Sequence, residues 1–122
     1  MTSSSKRGRS GEQRATEYLQ EKGYNILQKN FRLSLGEVDI IGEKDRVLHF
    51  LEVKSWSVIP FEGIEQSVSR RKRERIQVCA AEFLRRYPEF DGYGVVFDLM
   101  FLNSREGSIT HIENAWTTSD QT

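Results

Sequence analysis

Two stretches of this 122-residue chain restrict its fold more than any others. They are Val47-Leu48-His49-Phe50-Leu51-Glu52-Val53 and Val95-Val96-Phe97-Asp98-Leu99-Met100-Phe101-Leu102. A strand with one face in water alternates apolar and polar residues. These runs are apolar on both faces, the pattern of strands covered from two sides. Between them, Ile76, Cys79, Ala80, Phe83, Leu84 and Tyr87 recur at the spacing of one helical face. A helix of that length carries the chain across the sheet, so the second run returns parallel to the first.

The remaining elements fall around this centre. Residues 1–9 are Ser-rich and basic and read as a flexible arm. Ser10 has the look of an N-cap with Gln13 as its capping-box partner, a helix then runs to about Lys22, and Gly23 ends it. Tyr24–Arg32 and Val38–Gly42 read as strands joined by a turn at 34–36. The polar turn Glu43–Arg46 suits a hairpin into a third strand, Val47–Lys54. A loop containing Pro60 follows. The long helix begins near Ile64 or Ser67 and reaches Tyr87, where Pro88 stops it. Strands at Tyr93–Leu102 and Ile109–Trp116 complete the order αβββαββ. The pattern predicts an α/β fold: one domain over 10–116 with a mixed sheet flanked by helices, and a loose tail over 117–122.

Composition excludes several classes. Apolar residues are 37% and charged residues 30%, as in ordinary globular domains rather than disordered chains. No stretch approaches the roughly 20 apolar residues of a membrane span, and the polar, basic N-terminus is not a secretory signal. A single cysteine fits a reducing cytoplasm, and with two distant histidines it cannot build a standard zinc site. Net charge is zero but unevenly spread: residues 1–14 carry +3, residues 70–86 carry +5 and residues 87–122 carry −5. Local basic patches decide whether a polyanion can dock.

The chemistry gathers at one strand end. Glu52 and Lys54 lie two apart on a strand and share a face with Leu48 and Phe50, so an apolar ladder ends in an acid and a base. Asp39 sits on the strand joined to it by a hairpin, within reach of both. Two crowded carboxylates repel and resist burial. A hard dication relieves them, since Mg²⁺ uses one or two carboxylates and keeps waters. A lysine beside it could hold an attacking water. The plainer alternative is an ion pair at a strand end.

Other residues carry two readings each. Arg70, Arg71, Arg73 and Arg75 surround the start of the long helix as phosphate contacts or as a solvated face. Lys72 shares its helical side with Val68, Ile76 and Cys79, and is either a snorkelling stem or a group reaching for phosphate. Glu37 shares a face with Asp39 but leans toward a solvated turn residue. Asp98 interrupts a buried run and is expected to pair with a Lys or Arg. His49 and His111 read as ordinary strand residues, Cys79 as core filler, and Phe31 and Trp116 as packing groups.

The segments GEVDII (36–41) and FLEVK (50–54) resemble the motifs of the PD-(D/E)xK nuclease superfamily. With the opening GEQRATEYLQEKGYNIL, the chain is similar to the bacterial YraN-type family, close to Holliday-junction resolvases, from about Gly11 to Ala115. The resemblance implies a restriction-endonuclease-like fold and a Mg²⁺-dependent endonuclease, with Mn²⁺ as substitute, acting on branched or structured DNA. It gives metal binding to Asp39 and Glu52 and the nucleophilic water to Lys54. It adds Glu12, on the first helix, as a further metal and catalytic acid. Glu12 shares a helical face with Ala15 and Leu19, which is expected to turn it toward the sheet. Resolvase-like relatives act as dimers, so a homodimer is among the implied states. Two departures weaken the substrate side: Trp56 follows Ser55, and Val96 precedes Phe97, where the family pattern places arginines. Trp56 could instead stack on a base. The alternatives are a nucleic-acid-binding module with weak or absent cleavage, and a protein-interaction domain.

Overall fold

The structure, a computed structural model, describes residues 3–56 and 68–117, with side chains for 11–55 and 68–117. The expected loop around Pro60, the helix start near Ile64 or Ser67, the side chain of Trp56 and residues 118–122 lie outside these. The elements are α1 (Ser3–Glu21), β1 (Asn25–Leu33), β2 (Gly36–Lys44), β3 (Val47–Trp56), α2 (Arg70–Arg86), β4 (Gly94–Asn103) and β5 (Ile109–Trp116), with one 3₁₀ turn at Pro88–Phe90. This is the αβββαββ order. The strands lie side by side in chain order, β1-β2-β3-β4-β5. Every neighbouring pair is antiparallel except β3 and β4, which α2 joins as parallel partners.

Alternation along β3 explains the layers. Leu48 and Phe50 enter one core with Ile76, Cys79 and Phe83 of α2. Leu51 enters the other with Ala15 and Leu19 of α1. The two helices therefore cover opposite faces, and β3 and β4 are buried on both. Local signals place the ends. Gly23, at φ 95°, ends α1 and lets Tyr24 N–H reach back to the Leu19 carbonyl at 3.0 Å. Asp45 and Arg46, both with positive φ, form the two-residue β2–β3 turn, the backbone hand that matches strand twist. The Ser69 hydroxyl accepts the Lys72 N–H at 3.1 Å and caps α2 at Arg70. Phe31, Trp116 and Cys79 are buried, as expected of packing groups. Among the described residues, no helix is long and apolar enough to cross a membrane.

Three local expectations are corrected. α1 begins at Ser3 rather than at Ser10, so most of the basic stretch read as an arm continues the helix. Once nucleated, a helix extends at one hydrogen bond per residue, and Lys and Arg are good formers. Glu12 is exposed instead of facing the sheet. Gly11 takes the inward position in that turn: a Cβ there would lie 3.3 Å from Leu102 and 3.4 Å from the Ser55 hydroxyl. The inward stripe is thus 11, 15, 19, one residue out of step with Glu12.

The third correction concerns Asp98, which pairs with two histidines and not with a lysine or arginine. Its Oδ2 lies 2.6 Å from His49 Nδ1 and 2.8 Å from His111 Nε2, and its Oδ1 accepts the Asn114 N–H at 2.9 Å. A histidine ring can be buried whole and presents an N–H without carrying an obligatory charge inside. Burial would raise the Asp98 pKa, but the bonds from His111, His49 and Asn114 outweigh it and hold the carboxyl below its ordinary value. The network sits where the β4–β5 register shifts, between Phe97 and Leu99. Asn114, at φ 53°, has left the ladder there and gives its N–H to Asp98.

The fit of α2 on β2 is closest at Gly36. A Cβ added there would lie 2.9 Å from Arg75 Cβ and 3.2 Å from its carbonyl oxygen. Gly36→Ala must therefore push helix and strand apart. It is expected to lower unfolding free energy by about 1–3 kcal/mol in urea titration.

Candidate active site

β2 and β3 bring the acids together by register. Ile40 pairs with Leu51, so the next step sets Asp39 opposite Glu52. The ladder stops at that point. Asp39 Oδ2 accepts the Val53 N–H at 2.8 Å, so a side chain takes over from the main chain as acceptor. This holds the Asp39 carboxylate at the strand edge, and β3 delivers Glu52 to the same place. Glu52 is 3% exposed. Its Oε2 lies 2.8 Å from Lys72 Nζ and 3.3 Å from Lys54 Nζ.

Asp39, Glu52 and Lys54 thus converge, as their spacing implies. Lys72 joins them from α2, because Ser69 starts the helix one turn before the core stripe and leaves Lys72 facing the strand end. Of the two readings open to Lys72, the contact with Glu52 makes it part of the cluster. Glu12 is not brought in; its charge is felt by Arg32 instead. Glu37, read as a solvated turn residue, is a half-exposed partner of Arg32, directly across the β1–β2 hairpin.

The electrostatics follow from crowding. Burial, and then the neighbouring Glu52 charge and hydrogen bond, push Asp39 up from 3.8 to about 7, against the lowering effect of the Val53 N–H. Burial alone would lower Lys72, but its bond to Glu52 and the charges of Glu52, Asp39 and Glu37 raise it. Lys54 and Lys72 together balance the two acids, and the proton that Asp39 keeps toward neutral pH lightens the negative charge further. Two adjacent carboxylates with room beside them fit a hard dication that retains waters. Among the described residues, no group of three or more His, Cys, Asp or Glu side chains is arranged to hold a metal, so ligation would rest on Asp39 and Glu52.

A cleft of about 520 Å³ shares Lys72 with this cluster, and its wall also holds Arg32, Glu37 and Arg75 among the apolar Leu33, Leu35 and Ile76. Of its three cations, Arg32 is paired with Glu37 and Lys72 with Glu52, which leaves the wall basic by a modest margin, enough to suit an anionic ligand. The other basic residues differ in placement. Arg70 lies 3.6 Å from Glu74, on the exposed side of α2. Arg71 is exposed. Arg73 turns inward, donating to the Val68 carbonyl at 3.0 Å with its guanidinium 5.7 Å from the Trp116 ring. Arg32 was invisible as a site residue in the sequence. Its only signal is the alignment with Glu37, which appears once the turn at Ser34-Leu35 sets the register.

Known proteins resemble this chain over most of its length. A family model described as "Uncharacterised protein family UPF0102" matches residues 11–102. The chain is 40% identical over 113 residues to a UPF0102 protein of Desulforamulus reducens, covering 88% of this chain and 93% of the relative. It is 35% identical over 111 residues to one from a Sulfurihydrogenibium species (91% and 94%) and 38% over 110 residues to one from Clostridioides difficile (90% and 96%). The matched span contains all the clustered residues.

The raised Asp39 has a consequence for stability. Between about pH 4 and 7 the folded chain keeps a proton that the unfolded chain has released. The stabilisation linked to Asp39 is therefore complete below about pH 4 and is lost as pH rises through 7. A side-chain amide in its place would keep an acceptor for the Val53 N–H without a charge. In metal-free urea titrations, Asp39→Asn is expected to gain on the wild type between pH 5 and pH 8 by at least about 1.4 kcal/mol, the equivalent of one pKa unit.

Proposed function

We propose that this chain, which belongs to the uncharacterised protein family UPF0102, is a Mg²⁺-dependent phosphodiesterase that cleaves DNA, branched or structured DNA in particular. The observation that carries the reading is the meeting of Asp39 and Glu52 with two lysines on Glu52, one of which, Lys72, also lines a cleft with Arg32 and Arg75. An ion pair at a strand end needs one lysine, and it needs no cleft.

In this reading Asp39 and Glu52 hold the ion, Mg²⁺ or Mn²⁺ in its place. Bound there, the ion supplies the charge that polarises a phosphate and activates water. The side chains do the rest. Lys54, on the same strand face as Glu52, would hold the attacking water and stabilise the negative charge it gains as its proton passes to solvent. Lys72 faces the cleft and neutralises a non-bridging phosphate oxygen. Arg32 and Arg75 seat the neighbouring phosphates, as guanidinium groups do through paired N–H donors. The described side chains offer no obvious acid for the leaving oxygen, so its proton comes from solvent. Glu12, exposed on α1, takes no part here.

A second reading is a DNA-binding module without cleavage. It is favoured by the two lysines, which already neutralise Glu52 in the metal-free chain. The assay that separates the two uses linear, nicked, flapped and four-way DNA with Mg²⁺ or Mn²⁺. Wild type is expected to cut at least one substrate, and Glu52→Ala and Lys54→Ala to lose on the order of 100-fold or more, as when charge stabilisation of a transition state is removed. Metal-dependent cleavage that survives unchanged in both variants refutes the assignment. DNA affinity indifferent to metal, with no cutting, supports the module.

The cleft carries its own expectation. Arg75→Ala is expected to weaken DNA binding across sequences alike. It should also reduce the slope of log affinity against log salt by about one, the effect of one lost phosphate contact. An unchanged slope would remove Arg75 from the interface.

A further inference from the structure

Glu52 is almost sealed, with 4% of its side chain exposed, and Lys72 at 2.8 Å and Lys54 at 3.3 Å both meet the same oxygen, Oε2. The two lysines are held differently. Lys54 rises from β3 beside Glu52, and 26% of its side chain is exposed. Lys72 comes from α2, is 44% exposed, and also borders the 520 Å³ cleft that holds Arg32, Glu37 and Arg75. The charge of Glu37 acts on Lys72 as well as that of Glu52. On its flexible four-carbon stem the Lys72 ammonium group has two places within reach, the Glu52 oxygen and the cleft.

An oxygen that already meets two ammonium groups is closed to a dication. Mg²⁺ sits about 2.1 Å from a ligating oxygen, and a positive charge kept beside it is strongly repelled where little water intervenes. Of the two lysines, Lys72 has open volume to withdraw into. Withdrawn, it joins Arg75 on the cleft wall and adds a charge on which a phosphate can rest. One movement therefore both clears Glu52 and makes the cleft more basic.

We propose that Lys72 is an exchangeable counter-ion: it sits on Glu52 in the metal-free chain and passes to a substrate phosphate when a dication takes its place, so that ion and DNA bind as a coupled pair. This exchange rests on the phosphodiesterase reading of Asp39 and Glu52. Coupling of this kind is reciprocal. A phosphate that holds Lys72 strengthens ion binding by the factor by which the ion strengthens DNA binding. A lysine fixed in one place would instead lend its charge to DNA equally with and without the ion.

The test follows Lys72 itself in the whole chain. Mg²⁺ binding is measured by calorimetry on wild type and Asp39→Asn, and the reactivity of each lysine toward sulfosuccinimidyl acetate by mass spectrometry. Saturating Mg²⁺ is expected to raise acetylation of Lys72 about fivefold, the lower range of coupling between linked sites, and to leave the exposed Lys29 unchanged. In Asp39→Asn the rise is expected to vanish. Lys72→Met is expected to bind Mg²⁺ about fivefold more tightly, its competitor being gone. Its affinity for duplex DNA, read by fluorescence anisotropy, should fall about fivefold in Ca²⁺, another hard cation that takes oxygen ligands, and stay unchanged in EDTA. Mg²⁺ bound through Asp39 with Lys72 acetylation unchanged overturns the exchange and leaves the phosphodiesterase reading standing. So does an equal loss of DNA affinity in Ca²⁺ and in EDTA. A wild type that binds no Mg²⁺, or an Asp39→Asn that binds it equally well, refutes that reading and the exchange with it.

Discussion

The burial of Asp39 and Glu52 side by side organises the candidate site of this molecule. Register sets the two acids opposite each other where the β2–β3 ladder stops, and burial denies them water. Each neighbouring feature reduces the resulting cost. The Val53 N–H fixes one carboxylate, Lys54 and Lys72 flank the other, and Asp39 keeps its proton toward neutral pH. Burying two adjacent carboxylates with their lysines costs desolvation that a plain apolar strand end would avoid. Under the proposed reading a bound cation would take over part of that compensation.

The two helices hold this strand end differently. α1 seals one face with small and apolar residues, down to Gly11 against Leu102 and Ser55. α2 seals the other face and also reaches the candidate site, since the turn that begins at Ser69 points Lys72 at Glu52 and Arg75 into the cleft. The contact of Gly36 with Arg75 draws helix and hairpin close enough for those side chains to share one opening. Packing precision and the shape of that opening are thus set by the same few residues.

Much of this was legible in the residues. VLHFLEV and VVFDLMFL are apolar on both faces and could only be central strands. The helical stripe between them required a crossover, and the parallel β3–β4 pair follows. Asp39, Glu52 and Lys54 were readable because strand alternation and a short hairpin leave little freedom. Errors arose where position depended on rotation or on partners far along the chain. Glu12 and Gly11 differ by about 100° around a helix, and periodicity of a short stripe does not choose between them. Asp98 found histidines 49 residues before it and 13 after it, partners that only the assembled sheet could supply. Arg32 needed the β1–β2 register.

The parallel joint at the centre of the sheet also bears on how the chain assembles. β1, β2 and β3 are linked by two-residue turns and meet neighbours at once, and β4 and β5 form a second local hairpin. The seam between β3 and β4 cannot close until about 40 residues of intervening chain have been gathered in, an entropic toll that local pairing does not meet. Glu52 and Lys54 lie on that seam. The strand that carries Glu52 and Lys54 is therefore the one whose pairing costs the chain most entropy.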